Sequence, residues 1–332
     1  MPAPTSQPDA PAPAVEPHRP AEAAAEGSLL DLRSIDAGRL RRLLASARDF
    51  DTPDLRRVRP RNGRLVANLF FEDSTRTRLS FSIAAGRLGA DVVDLEAIGS
   101  SRSKGETLED TAKTIEAMGA DAMVVRSSEP GGPAVVARAV RVPVISAGDG
   151  RHEHPTQGLL DAYTIAEAHG RLADFDLSGL TALIVGDLAH SRVARSDVAA
   201  LTALGARVVG VGPSWLAPAS LSCLGCEITP DFDGALAEAD AVQMLRVQKE
   251  RGAATGSLRE YIGAYQLNAR RAALLKAGAI VMHPGPMNRG LEITAEVAES
   301  SRSRITRMVA VGVLARMAAL REALRLTDED LA

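Results

Sequence analysis

The sequence predicts an α/β protein of two α/β domains, each a mainly parallel sheet flanked by helices. Three observations carry that prediction. The 332 residues exceed one ordinary core and suit two domains of typical size. Apolar, strand-like runs alternate with amphipathic helical stretches, the pattern of parallel crossovers. The alternation pauses at Ser178-Gly179 and then begins again.

Residues 1–27 are rich in Pro and Ala without apolar periodicity, so burial cannot offset the entropy of ordering them and a disordered tail is expected. From Leu29 the pattern turns globular. Leu29, Leu30 and Leu32, then Leu40, Leu43 and Leu44, approach helical spacing and predict a short helix or two. The first unit, residues 28–165, has strand candidates in RLVANLF, ADVVDLE, DAMVVRS and VPVISAG. Helix candidates fall between them in LSFSIAAGRLG, TLEDTAKTIEAMG and GGPAVVARAV. A helix from about His154 to His169 stops at Gly170 and leads out of that unit. The second unit, residues 166–305, repeats the alternation through TALIVGD, a helix from Arg192 to Gly205, ARVVGVGP, ADAVQMLR and AIVMHPG. The last helix is long and apolar on one face, so residues 306–332 are expected to dock back and complete the first unit. No repeat of solenoid length occurs.

Composition excludes several classes of function. With 39 Lys and Arg against 42 Asp and Glu, the net charge of −3 lacks the basic excess of a nucleic-acid footprint. Aromatics at 3% leave little on which to stack bases. Arginines interrupt every long apolar run, so no membrane span is expected. The N-terminus lacks the basic-then-apolar order of a secretory signal, and two cysteines cannot make a disulfide framework; a cytoplasmic location is expected. Cys223 and Cys226 form C-x-x-C with no second pair, so no metal site is expected, and the G-x-G-x-x-G of a dinucleotide site is absent. The only lysines are Lys104, Lys113, Lys249 and Lys276 in an otherwise arginine-based chain.

The richest polar segment is FFEDSTRTRLSF, which sets Ser74, Thr75, Arg76, Thr77 and Arg78 between a predicted strand and a predicted helix. Free N–H groups at a helix N-terminus, hydroxyls and guanidinium groups together make a phosphate cradle. A plain helix cap at Ser74 or Thr75 is the rival reading, and five consecutive polar residues exceed what a cap needs. For Arg192, the rival is a solvated surface residue. For His154 it is a helix cap, and for Lys104 a solvated loop charge.

This segment resembles the carbamoyl-phosphate loop of the aspartate and ornithine carbamoyltransferases, and further segments match in order: SSRSKGETLEDT, DAMVVRSS, AGDGRHEHPTQGLLD, GDLAHSRVARS, MLRVQKER and HPGPMNRGLEI. Together they span from about residue 30 to the C-terminus. Arg246-Val247-Gln248 and His283-Pro284-Gly285-Pro286, with no Ser-Met-Gly loop, are similar to the aspartate branch of the family. A substrate with two carboxylates also suits guanidinium partners.

The resemblance implies transfer of a carbamoyl group from carbamoyl phosphate to the amine of L-aspartate, toward pyrimidines, with no cofactor. It implies that Ser74, Thr75, Arg76, Thr77, Arg126, His154 and Gln157, with the backbone carbonyls of Gly285 and Pro286, surround carbamoyl phosphate. Lys104, Arg192, Arg246 and Gln248 are implied to hold aspartate. Ser100 and Lys104 are implied to enter from the adjacent subunit of a homotrimer with shared active sites. A dihydroorotase or a regulatory chain is a candidate further partner. Gly285 departs from the family pattern, where the best-known members have Leu. The rivals are a carbamoyltransferase for ornithine or an acylated derivative, and a catalytically silent regulatory homologue; intact Arg76, Lys104, His154 and Arg246 argue against the second.

Overall fold

The computed structural model describes residues 24–56, 59–96, 106–247 and 258–331. Among them, strands pair in parallel into two separate sheets. The first contains β1 (Leu65–Phe70), β2 (Asp91–Glu96), β3 (Ala122–Ser127) and β4 (Val144–Asp149), in the order β2-β1-β3-β4. The second contains β5 (Thr181–Val185), β6 (Arg207–Val211), β7 (Glu227–Thr229), β8 (Ala241–Met244) and β9 (Ile280–Met282), in the order β7-β6-β5-β8-β9. Every residue of β3, β4, β5 and β8 is buried, as in parallel sheets covered on both faces.

Each sheet reverses its winding once, between β1 and β3 in the first and between β5 and β8 in the second. Loops leaving the carboxyl ends of neighbouring strands diverge at such a point and open a crevice, where α/β proteins bind ligands. The loop after β1 carries Glu72–Ser74, and Arg126 sits near the end of β3. In the second sheet the loop after β5 ends in α6, whose first residue is Arg192, and Arg246 follows β8.

The helices bring the two crevices together. α1 (Ala37–Asp49), α2 (Thr75–Arg87), α3 (Leu108–Ala117), α4 (Gly132–Ala139) and α5 (Pro155–Ala168) belong to the first half, and α6 (Arg192–Ala203) opens the second. All of α5 from Pro155 to Ala166 is buried. Gly158 permits its close approach to α6, since a Cβ there would stand 2.8 Å from the Ser196 carbonyl oxygen. Four short helices, α7 (Phe232–Leu236), α8 (Leu258–Tyr265), α9 (Ala269–Ala272) and α10 (Ala295–Ala298), edge the second sheet. The final α11 (Ile305–Leu324) returns to pack on α1, α2 and α5. Phe81 of α2, Leu159 of α5, Val198 of α6 and Leu314 and Met317 of α11 share one apolar cluster, so the core crosses from one half to the other.

The structure departs from the sequence reading at the N-terminal side. Residues 1–23 of the expected tail lie outside the described residues, whereas 24–27 form a turn in which the Ser28 N–H donates to the Ala25 carbonyl, and Glu26 pairs with Arg325 at 2.9 Å. Leu29 is not helical: it bridges to Ile145 beside β4, and the helix begins only at Ala37, capped by Asp36. The strand β7 and the short helices α7 to α10 had no distinct periodicity to reveal them.

Leu314 is fully buried within α11. Leu314→Ala is expected to lower the stability of the folded chain by about 2–5 kcal/mol through lost apolar burial and the cavity left behind, read as a shift of the denaturation midpoint.

Candidate active site

A cavity of about 760 Å³ lies where the two crevices face each other. The first half contributes Glu72, Ser74, Thr75, Arg76, Thr77, Arg126, His154 and Gln157; the second contributes Arg192, Arg246, Gly285 and Pro286, and Arg316 reaches in from α11. These include every sequence-predicted residue except three: Ser100, Lys104 and Gln248 lie outside the described residues.

The rival readings can now be compared with geometry. Ser74 occupies the N-cap position of α2, yet its side chain makes no capping hydrogen bond. The N–H groups of the first turn therefore remain available to an anion. His154 stands at the N-cap of α5, again without a side-chain cap, and Pro155 follows it at the first helical position. Capping at α6 falls to Ser191, whose hydroxyl accepts from the Ala194 N–H at 3.1 Å. Arg192 is consequently free of capping duty and points inward, with its side chain 13% exposed.

Glu72 ties the guanidinium groups together. Its carboxylate accepts from both terminal nitrogens of Arg192, at 2.8 and 3.1 Å, and lies 3.3 Å from Nε of Arg126. A two-bonded fork of this kind fixes orientation as well as charge. Arg192 also donates to the Gly150 carbonyl at 3.3 Å, and Arg126 donates to the Ala147 carbonyl at 3.0 Å. Glu72 thus joins the first sheet's loop to the second half through α6.

The field inside is positive. Burial and the neighbouring Arg246 charge hold the Arg76 guanidinium below its usual pKa. Arg316 is pushed down to about 10 by complete burial, with Asp161 partly opposing the shift. Burial, and then the charges of Arg126, Arg316 and Arg192, keep His154 well below the ordinary imidazole range. A neutral imidazole retains one N–H and donates it without adding another cation.

The loop after β9 supplies the far wall. His283 and Glu292 are completely buried and paired, with Nε2 of the imidazole 3.2 Å from Oε1 of the carboxylate. Nδ1 of His283 accepts the Gly285 N–H at 2.8 Å, which pins the start of the Gly285-Pro286 segment. Gly285 has φ of 67°, and a Cβ on it would stand 2.0 Å from a terminal nitrogen of Arg76. At Gly285 the chain thus takes a backbone conformation that favours glycine, with the Arg76 guanidinium close against it.

Sequence reasoning missed Glu72, Arg316 and His283 as individual residues. Arg316 had a signal, a lone charge within the apolar helix face VGVLARMAAL. Glu72 had a weaker one, an acid next to a cationic cradle.

The comparisons with known proteins agree with this geometry. The profile described as "Aspartate/ornithine carbamoyltransferase, carbamoyl-P binding domain" matches residues 28–167, and that described as "Aspartate/ornithine carbamoyltransferase, Asp/Orn binding domain" matches residues 178–322. The chain is 54% identical over 276 residues to the aspartate carbamoyltransferase catalytic subunit of Parafrankia sp., covering 82% of this chain and 87% of that one. It superposes with a TM-score of 0.78 on aspartate transcarbamoylase from Trypanosoma cruzi in complex with N-(phosphonacetyl)-L-aspartic acid, at 31% identity, covering 90% and 95% of the two chains. Ornithine carbamoyltransferase from Pyrococcus furiosus superposes at 0.77 with 27% identity, covering 91% and 98%. Shape alone therefore does not choose between the two substrates.

His154 should remain uncharged at pH 6.5, where an ordinary imidazole is half protonated. Among the six histidines, the NMR signal absent from His154→Asn should show no titration between pH 6 and 8. A midpoint near 6.5 would mean that the cationic surroundings do not act on it.

Proposed function

We infer the reaction from one premise: the chain belongs to the aspartate/ornithine carbamoyltransferase family. Its activity is carbamoyl transfer from carbamoyl phosphate to the α-amine of L-aspartate, giving N-carbamoyl-L-aspartate and phosphate for pyrimidine synthesis. The observation that carries this reading is the pairing of two cationic crevices across one cavity, Arg76 and Arg126 from one half and Arg192 and Arg246 from the other. One substrate is an acyl phosphate and the other a dicarboxylate, so each needs its own guanidinium set.

In this reading Ser74, Thr75, Arg76 and Thr77 bind the phosphoryl group at the N-terminus of α2. Arg192 and Arg246, with Gln248, take the two carboxylates of aspartate. The amine attacks the carbamoyl carbon, and the C–N bond forms as the carbonyl π pair moves to oxygen. Thr77, Arg126 and neutral His154 donate to that oxyanion, and loss of one such donor typically costs about 100- to 1000-fold in rate. Collapse expels phosphate, whose charge Arg76 offsets, and the amine proton leaves with it. Holding two anions side by side against their repulsion is most of the catalytic task.

Aspartate is favoured over ornithine because a second carboxylate, not a second amine, matches Arg246. The direct test is a colorimetric assay for carbamoyl-amino acid product with aspartate and ornithine offered separately. Product with aspartate alone is expected; product with ornithine alone would overturn the assignment. Arg246→Ala should raise KM for aspartate by roughly 30-fold or more and leave carbamoyl-phosphate binding nearly unchanged. Equal weakening of both substrates would make Arg246 a structural residue.

We also propose a homotrimer in which Ser100 and Lys104 serve the neighbouring site. Supporting this, Leu79 and Ile83 on α2 and Val93 on the edge strand β2 are exposed apolar residues, and Ser100 and Lys104 follow that strand in sequence. Arg76→Ala and Lys104→Ala chains should each be nearly inactive yet complement when unfolded and reassembled together. One half times one half predicts that about a quarter of sites recover in an equal mixture, since a working junction needs an intact residue from each side. No recovery would show that each chain completes its own site.

A further inference from the structure

Behind the cavity wall, two carboxyl groups meet in the seam between the halves. Asp161 of α5 and Asp197 of α6 are both 1% exposed. The Gln157 side-chain nitrogen donates to both oxygens of Asp161, at 3.1 and 3.0 Å. Gln243 of β8 donates to Asp161 at 2.8 Å and approaches Asp197 at 3.5 Å. The shared Gln243 nitrogen thus brings the two carboxyls together in a seam closed to water.

The surroundings do not treat the two carboxyls alike. Burial raises both groups, Asp161 and Asp197. Arg316 of α11 faces Asp161 and favours its ionised form, whereas Asp161 and Glu153 both place negative charge against Asp197. Ionisation is therefore held back more at Asp197, and Asp161 is the acceptor of the Gln157 and Gln243 bonds. Like charges this close cannot both ionise without great cost.

An ionised carboxylate offers only acceptors, so the Gln157 amide must turn its NH2 toward Asp161. Its oxygen is then the end left for the cavity that Gln157 lines. This matters because a carbamoyl group has one donor end, NH2, and one acceptor end, C=O, of nearly the same size. Thr77, Arg126 and His154 all supply donors, which suit the carbonyl. An inverted Gln157 would set NH2 against NH2.

We propose that Asp161 is a positioning residue that fixes the orientation of the Gln157 carboxamide and thereby selects the carbamoyl amine. The proposal rests on the reading of the cavity as a carbamoyl-phosphate site. Acetyl phosphate is the matching probe, since it replaces NH2 by a methyl group and keeps the rest.

The experiment measures, for the full-length chain, KM for carbamoyl phosphate and the inhibition constant of acetyl phosphate. Asn at 161 can present either an oxygen or an NH2, so Asp161→Asn should raise KM for carbamoyl phosphate about tenfold while leaving acetyl phosphate nearly unchanged. Asp197→Asn leaves the Gln157–Asp161 bonds in place, so its rise should be several-fold smaller. An unchanged ratio of the two constants in Asp161→Asn overturns the positioning role, whatever happens to stability. Should Asp161→Asn not fold, the similarly sized Asp161→Leu, which accepts nothing from Gln157, is read in its place, and an unchanged ratio there overturns the role instead. If the unsubstituted chain does not prefer carbamoyl over acetyl phosphate, the functional reading itself fails.

Discussion

Repulsion among like charges is the constraint that the rest of the molecule must meet. Arg76, Arg126, Arg192, Arg246 and Arg316 all line one cavity, and no single element bears more than one of them. A fold that brings so many cations together needs fixed acceptors around them and a stiff frame behind them. The acceptors are Glu72 and the carbonyls of Ala147 and Gly150, which hold both terminal nitrogens of Arg192 and one of Arg126. The frame is the buried α5 and the shared apolar cluster around it.

The same constraint explains why His154 is neutral. Three nearby guanidinium groups would make a fourth cation costly, and burial removes the water that would have screened it. The site thereby gains a hydrogen-bond donor that adds no repulsion. At Gly285 the Arg76 guanidinium lies in the space that a Cβ would take.

Much of this was legible in the sequence, and the physical reason is local. The main strands are continuous apolar runs bounded by turns, which a covered parallel sheet demands, so β1 to β6, β8 and β9 could be located along the chain. Ser74 to Thr77, Arg126 and His154 each lie in segments whose order matches the family. What remained hidden depends on packing between distant segments. Asp161, Asp197 and Gln243 meet only once α5, α6 and β8 are assembled, and nothing in their local sequence announces it. Leu29 was misread for a related reason: a short apolar run does not tell a helix from a bridge to β4.

The path of the chain sets how the halves can move. The backbone crosses between them once after α5 and again before α11, so the second sheet is in effect an insertion within the first half. A body attached at one point can swivel in any direction; one attached at two is restricted to turning about the line that joins them. Relative motion of the two cationic walls is therefore confined to a single hinge axis. A turn about that line widens or narrows the gap between the wall bearing Arg76 and Arg126 and the wall bearing Arg192 and Arg246.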